Sequence, residues 1–326
     1  MPTQQHNRRW IRASGWARWG VLAAVPLVFV AAPSLGRLPA RLIRGCPTWI
    51  VLAGTLEVLS ILGFVVSFAL VFCGPMSRRQ SIVAGLRALG ASTVLPGGGL
   101  IGPAIGARSA MPDPSAPLRL VRSTIAFTIL TTAPGAIALA VFGVSLWLGW
   151  PGGPHEALLT LPAAAVSVAA LALLWWLARP SAPTAPPGVP RRGALRWVAD
   201  SSRVPRAGAA EARRLLGARD WRLLGPLAYY ACDNAVLWAA FHAYGYSAAL
   251  GAIVMGYLIG SLGGALPVPG GFGAAEGGLV GALVLYGAPV GPAASAVLLY
   301  RGISLGLSVS LGGGAWALAN GRRRDQ

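Results

Sequence analysis

The sequence predicts an all-α polytopic membrane protein that is built as two inverted repeats. Hydrophobic residues make up 55% of the chain and charged residues only 11%, whereas a soluble domain has roughly 25% charged residues. Apolar runs long enough to cross a bilayer recur in both halves of the chain. Two similar Pro-Gly-Gly breaks interrupt these apolar regions, at 95–103 and at 266–278. We therefore expect about six full spans and two re-entrant hairpins, one hairpin at each break.

The formal net charge of +18 does not indicate nucleic-acid binding. The arginines cluster at the two termini and in one central segment, which are the flanks of apolar spans, and basic flanks mark the cytoplasmic side of a membrane protein. No run of alternating basic and aromatic residues typical of nucleic-acid binding is present. The cysteines and histidines are scattered without ligand spacing, so we expect no metal site and no cofactor. The three cysteines are Cys46, Cys73 and Cys232.

The N-terminal region, 1–47, combines a basic start, a short apolar run at 20–32 and an arginine-containing segment suited to the membrane surface. The apolar run is shorter than a usual span of about 17–25 residues, so a secretory signal peptide is the alternative to a retained first helix. We favour the retained helix, because the following chain is itself embedded in the membrane.

The first membrane half, 48–178, contains predicted spans at 48–73, 123–148 and 158–177. Between the first two lies an apolar region, 81–111, which is broken in its middle by Pro96, Gly97 and Gly98. Each arm on either side of the break is too short to cross. A hairpin that enters and leaves on the cytoplasmic side fits better, with its irregular backbone shielded by protein or by a water-filled cavity.

The central segment, 179–222, is predicted to be a cytoplasmic linker. It has ten arginines against Asp200, Glu211 and Asp220, and its few apolar positions cannot bury a core. Such a segment lies against anionic lipid headgroups, or it docks a cytosolic partner.

The second membrane half, 223–317, is followed by a basic cytoplasmic tail at 318–326. Spans are predicted at 223–244 and 289–316, with the second break between them. The alternative is that 248–264 crosses fully and the break lies within a bent helix. With the linker and the C-terminus both inside, the two halves have the same order of elements in opposite orientations. This arrangement is typical of secondary transporters, whose substrate site lies between the repeats.

The second break and the residues after it resemble a known family. The stretches 266–277, 286–290 and 293–302 are similar to the transmembrane region of lysylphosphatidylglycerol synthase, a flippase-like family of integral membrane proteins, and 95–99 looks like its earlier motif. The resemblance covers roughly 48–317 and implies a membrane domain that translocates lipids. Bifunctional members have a soluble aminoacyl-transferase domain after the membrane part. This sequence ends at Gln326, so we expect no synthase activity.

Glu276 and Arg301 are the most distinctive candidate residues. Glu276 follows the second break where a helix restarts, and a helix N-terminus favours a carboxylate. Arg301 lies near the middle of the last span, where a charge is costly and normally faces a partner or a cavity. We expect Arg301 to hold a lipid phosphate and Glu276 to position it. The alternative is a buried ion pair that only fixes helix register.

The remaining candidates fall into two groups. In the second half, Asp233 could neutralise a cationic headgroup or relay protons, and the glycines at the break could bind a phosphate through backbone amides. The alternatives are a capped acid, or an acid paired with Arg87 or Arg122, and glycines that serve helix packing. The second-half candidates also include Tyr230, Asn234, Gly270, Gly271 and Gly273, and their first-half counterparts are Glu57, Pro96, Gly97, Gly98 and Arg122.

Three classes of function are compatible with these features. The first is a lipid flippase of the plasma membrane, with its N-terminus, linker and C-terminus in the cytoplasm. Because the sequence has no ATP-binding motif, such a flippase would run downhill or on ion coupling. The second class is a membrane enzyme that acts on lipids, and the third is a scaffold that binds a cytosolic partner through 179–222.

Overall fold

The computed structural model describes residues 45–74, 76–95, 98–108, 117–150, 156–179, 193–263 and 274–321. Over these residues the chain forms α-helices and connections without a β-strand, as predicted. The helices are α1 Pro47–Phe72, α2 Arg78–Val94, α3 Gly98–Arg108, α4 Pro117–Trp147, α5 Ala157–Leu177, α6 Gly193–Gly217, α7 Leu224–Ala243, α8 Leu250–Gly263, α9 Ala274–Leu285 and α10 Val290–Gly321, with a 3₁₀ turn at Trp221–Leu223.

Four of these helices are long and apolar enough to cross a membrane. They are α1, α4, α5 and α10. Four of the six predicted spans therefore correspond to helices of sufficient length and hydropathy. The predicted span 20–32 lies outside the described residues. The predicted span 223–244 corresponds to α7, which has 20 residues. Helix α7 is about 30 Å long, enough to cross, but it contains Asp233 and Asn234 and is not among these four helices.

Helices α1 and α7 form a central antiparallel pair. At one end the backbone N–H of Cys46 donates to the carbonyl of Ala243 over 2.8 Å. Further along, a Cβ added to Gly63 would lie 2.8 Å from the carbonyl oxygen of Gly225, so the two backbones meet without side chains between them. Small residues at such crossings let helices pack closely in a membrane. This crossing determines which residues of the two helices face each other.

Helices α2 and α3 form a short antiparallel hairpin. Helix α2 begins with a capping box, in which the Ser77 side chain accepts from the Gln80 backbone and the Gln80 side chain from the Ser77 backbone. In α3, glycines at every fourth position face α2. A Cβ at Gly98 or Gly102 would lie 1.9–2.0 Å from an oxygen of Ser92. These glycines therefore set the close packing of the hairpin.

Helices α8 and α9 form the corresponding pair in the second half. They have 14 and 12 residues, respectively. Gly256 and Gly260 of α8 face Leu283 and Leu279 of α9, so the two helices run antiparallel in close contact. The turn after α9 contains Gly287, whose φ of 95° favours glycine.

Each short pair packs against the long helix of the other half of the chain. Helix α2 meets α10 where a Cβ on Gly90 would lie 2.9 Å from the Cα of Gly312. The guanidinium of Arg87 lies over the ring of Trp316, 4.1 Å from its centroid. Helix α8 meets α4 where Gly251 faces Leu146.

The predicted linker 179–222 contains the 25-residue helix α6. Helix α6 packs against α4 through Gly208, which faces Ile125. An ion pair of 2.7 Å between Arg122 and Glu211 holds the same two helices together. Helix α6 therefore has a defined place beside α4 of the first membrane half. The boundaries of the domains stay a prediction.

Candidate functional site

Two acidic side chains are buried where α1 and α7 pack together. Glu57 of α1 is 3% exposed and Asp233 of α7 is 7% exposed. The two carboxyl groups lie within electrostatic range of each other. Because α1 and α7 run antiparallel and cross at Gly63 and Gly225, residues near the middle of each helix come together. The structure thus brings together the two acids that the sequence placed in different halves.

Asp233 is held by tyrosines from two other helices. The hydroxyl of Tyr257 in α8 donates to Oδ2 of Asp233. The hydroxyl of Tyr300 in α10 lies 3.1 Å from Oδ1 and 3.0 Å from Oδ2 of the same carboxyl group. A buried carboxylate without hydrogen bonds is strongly disfavoured, so these two donors stabilise its position. Helices α7, α8 and α10 are joined through this one side chain.

Glu57 has fewer partners than Asp233. The Ser304 side chain in α10 is within hydrogen-bonding reach of the Glu57 carboxyl group. The Oε2 atom of Glu57 is buried and has no hydrogen-bond partner among the described residues. The hydroxyl of Tyr230 and Oδ1 of Asn234, both on α7, are also buried without a well-formed hydrogen bond to a described residue, although these two side chains lie within reach of each other. Each unsatisfied buried group costs about 1–3 kcal/mol, so this part of the interior is suited to a polar ligand or to water.

The candidates Glu276 and Arg301 lie close together. Glu276 lies in the first turn of α9, and Arg301 is the twelfth residue of α10. The Nε atom of Arg301 lies 3.7 Å from Oε1 of Glu276, and the side chains are 24% and 19% exposed. This distance allows charge attraction but is too long for a hydrogen bond. The Nε atom of Arg301 is buried without a hydrogen-bond partner among the described residues.

Arg301 connects this ion pair to the buried acids. It follows Tyr300 in the sequence, and Asp233 lies within its electrostatic range. Glu276 and Asp233 are therefore both near Arg301, and Glu57 is linked to them through Asp233. We call Glu57, Asp233, Glu276 and Arg301 the charged cluster. Its members come from α1, α7, α9 and α10.

Arg122 has its contacts elsewhere. Its guanidinium donates to Glu211 of α6 over 2.7 Å. Arg214 donates to the same carboxyl group over 2.6 Å. These hydrogen bonds and charges, led by the bond from Arg214, hold the pKa of Glu211 below its ordinary value. Arg122 thus joins α4 to α6.

Of the candidate prolines and glycines at the two Pro-Gly-Gly breaks, only Gly98 lies among the described residues. Gly98 opens α3 and packs against Ser92. The candidates Pro96, Gly97, Gly270, Gly271 and Gly273 lie outside the described residues.

Three residues at the charged cluster were not among the sequence candidates. Asp233 accepts hydrogen bonds from the hydroxyls of Tyr257 and Tyr300, and the carboxyl group of Glu57 is within reach of the Ser304 hydroxyl. A tyrosine in the middle of an apolar helix, away from the membrane surface, needs a partner for its hydroxyl. That signal is present in the sequence at Tyr257 and Tyr300.

Metal binding has no obvious site in the parts of the chain that the structure describes. Within them, no three His, Cys, Asp or Glu side chains are grouped as ligands of a metal ion. The three cysteines are not joined by a disulfide.

Comparison with known proteins identifies the family of the chain. The family model described as the lysylphosphatidylglycerol synthase TM region matches residues 15–312. No curated protein matches the chain. The matched residues include α1 to α9 and most of α10. The chain therefore belongs to the family of the lysylphosphatidylglycerol synthase transmembrane region.

Proposed function

We propose that the protein moves a lipid with a polar headgroup between the two membrane leaflets. The lipid headgroup binds at the charged cluster, between the two halves of the chain. The observation that carries this proposal is the meeting of Glu57, Asp233, Glu276 and Arg301 beside buried polar atoms that lack partners. Charges inside a membrane protein are costly and normally mark a substrate or ion pathway. Membership of a family of membrane proteins named after lipid synthesis is in keeping with a lipid substrate.

The helix contacts support two inverted repeats, α1–α4 and α7–α10. In these repeats α1, α2, α3 and α4 correspond to α7, α8, α9 and α10, in that order. The counterpart of the contact between α2 and α10 is then the contact between α8 and α4, and both contacts are present. In the same way the α2–α3 hairpin corresponds to the α8–α9 pair, and the α1–α7 pair corresponds to itself. An axis in the membrane plane that relates two repeats produces such a pattern, with the site near the axis. The α1–α7 crossing beside Glu57 and Asp233 is the place where this axis would pass.

The short helix pairs support two re-entrant hairpins. Helices of 17 and 11 residues in the first pair, and 14 and 12 in the second, are shorter than a span of about 20 residues. In the second pair, the start of α8 lies against Leu146 at the end of α4. The end of α9 lies beside the start of α5, where the Tyr286 hydroxyl donates to the carbonyl of Leu159 over 2.6 Å. Because α4 and α5 are consecutive, both ends of the second hairpin are on the same side.

The charged ends of the helices support the orientation. Arg78 at the start of α2, Arg108 at the end of α3 and Arg122 near the start of α4 are all at the end where α6 packs. Basic residues favour the cytoplasmic side. We therefore place this end of the protein on the cytoplasmic side of the plasma membrane. The first hairpin then enters from inside and the second from outside.

Each charged side chain has a role in this proposal. Arg301 holds the lipid phosphate through its Nε, which makes no hydrogen bond to a described residue, and through its neighbouring guanidinium donors. Glu276, at 3.7 Å, competes for Arg301 and releases it when phosphate arrives. The excess of acids over arginine favours a headgroup that has a cation beside its phosphate. Glu57, whose Oε2 has no partner among the described residues, would bind that cation.

A reconstitution assay tests the proposal. Purified protein is inserted into liposomes that contain fluorescent phospholipids, or polyprenyl-linked lipids, and the fraction of lipid reachable by an external quencher is followed. Protein-dependent movement between leaflets supports transport. Chemical analysis of the same lipids separates the enzyme alternative, because an enzyme would change the lipid itself. We propose that the lipid is recovered unchanged. Absence of movement with every lipid, together with capture of a cytosolic protein by α6, would favour the scaffold.

A further inference from the structure

An open groove lies at the basic end of the protein, away from the charged cluster. It has a volume of about 1020 Å³ and lies between the end of α1, the start of α2 and the connection from α6 to α7. Its wall includes the apolar side chains of Val66, Ala69 and Ile82. Arg78, Arg219 and Trp221 line the same groove. A basic, aromatic edge beside an apolar wall is suited to the level of the lipid headgroups.

Two of the arginines at this groove are available for a ligand. Arg222 is occupied, because it donates to Asp220 over 2.6 and 2.9 Å. These hydrogen bonds lower the pKa of Asp220, so this acid stays ionised and paired with Arg222. Arg78 and Arg219 are exposed, and neither makes an ion pair with another described residue. The groove therefore has an unbalanced positive charge.

Arg219 has an unusual backbone conformation. Its φ of 49° lies in the left-handed region, and elsewhere among the described residues positive φ is found only at glycines, namely Gly149, Gly245 and Gly287. A residue in this conformation just after a helix is usually glycine, because a side chain is disfavoured there. An arginine at this position places a guanidinium at the groove despite that cost.

We propose that the groove binds one molecule of an anionic diacyl phospholipid. Its phosphate lies between Arg78 and Arg219, where two guanidinium groups that make no ion pair with a described residue complement its charge. Its acyl chain runs along the wall formed by Val66, Ala69 and Ile82, and Trp221 lies at the level of the headgroups. The apolar wall is the reason for a lipid rather than a soluble phosphate. This binding does not depend on the proposed translocation, and a chain that moved no lipid would still show it.

Binding of fluorescent phosphatidic acid to the full chain in neutral detergent tests this inference. Phosphatidic acid offers only a phosphate and two acyl chains, which are the two features that the groove recognises. We expect the double variant Arg78→Ala/Arg219→Ala to bind at least tenfold more weakly than the wild type. Arg79→Ala is the matched control, because Arg79 is exposed and adjacent in sequence but does not line the groove. Equal losses in both proteins would mean general surface attraction and would overturn the proposal.

Two further arms test the two halves of the site separately. Ala69→Trp fills the apolar wall without changing charge, and we expect a comparable loss of binding. Arg219→Gly removes the guanidinium and suits the left-handed backbone, so it should weaken binding while the protein stays folded. Glycerol 3-phosphate and diacylglycerol are the competitors. The proposal is wrong if either of them displaces the probe as well as unlabelled phosphatidic acid does.

Discussion

The hydroxyl of Tyr300 lies 3.0 Å from Oδ2 of Asp233 and joins the middle of α10 to the middle of α7. Arg301, the next residue, faces Glu276 of α9. Two consecutive residues of α10 therefore hold acids on two different helices. A shift of α10 along its axis would change both contacts together. This coupling gives α10 a central place in the proposed transport.

Removal of the Tyr300 hydroxyl should destabilise the protein. Tyr300→Phe keeps the ring and loses a hydrogen bond to a buried acid, which is worth about 1.5–3 kcal/mol when the acid is charged. We expect a lower melting temperature in detergent. The matched control is Tyr246→Phe, because Tyr246 packs its ring against Phe241 and makes no side-chain hydrogen bond with the described residues. Equal melting temperatures for Tyr300→Phe and the wild type would contradict the assigned contact.

Glu57 should be more important for transport than for stability. Its Oε2 has no partner among the described residues, so Glu57→Gln removes a poorly satisfied buried acid at nearly constant volume. We expect the melting temperature to stay equal or rise, while the rate of lipid movement falls. If Glu57 only supports the fold, the melting temperature falls and the rate per folded molecule is unchanged. Both quantities are measured on the same reconstituted sample.

The close crossing of α1 and α7 should not tolerate a side chain at Gly63. A Cβ there would lie 2.5 Å from the backbone nitrogen of Tyr229. Overpacking of this kind typically costs about 1–3 kcal/mol, so Gly63→Ala should lower the melting temperature clearly. Gly54 lies on the same helix and has nothing within 4 Å of an added Cβ. Gly54→Ala is the control and should leave stability unchanged or slightly improved.

The docking of α6 on α4 should weaken in acid. Hydrogen bonds from Arg214 and Arg122 lower the pKa of Glu211 below 4.5, its ordinary value. A group whose pKa is lowered on folding contributes stability above its unfolded value, and this is lost as the pH falls through the folded value. Glu211→Gln should therefore lower the melting temperature at pH 7. The difference from the wild type should shrink as the pH falls below 4.5. A difference that is constant with pH would contradict the ionic contact.

The sequence predicted those contacts that follow from the cost of a charge in an apolar region. Glu276 and Arg301 are two of the three charged residues between 223 and 320, so each was expected to face a partner or a cavity. The all-helical class was predicted from the hydrophobic composition and the long apolar runs of the sequence. Glycine pairs such as Gly90 and Gly312 cannot be recognised as contacts from the sequence, because each residue alone looks like ordinary membrane-helix composition.

The juxtaposition of Glu57 and Asp233 could not be predicted from the sequence. It depends on where α1 and α7 cross, and that point is set by Gly63 and Gly225, which are far apart in the chain. The partner of Arg122 was equally hidden, since Glu211 lies in a polar segment that gave no sign of packing against α4. Local patterns identify charged residues that need partners, whereas tertiary packing decides which partners they find.

The rate of lipid movement in liposomes that contain Arg301→Ala tests the central claim most directly. Insertion and melting temperature are checked first, and Arg122→Ala serves as the control, since Arg122 pairs with Glu211 outside the charged cluster. If Arg301 holds the lipid phosphate, its removal should slow movement at least tenfold, about 1.4 kcal/mol or more. Arg122→Ala should keep most of the rate. A folded Arg301→Ala protein that moves lipid at the wild-type rate would contradict the proposed site.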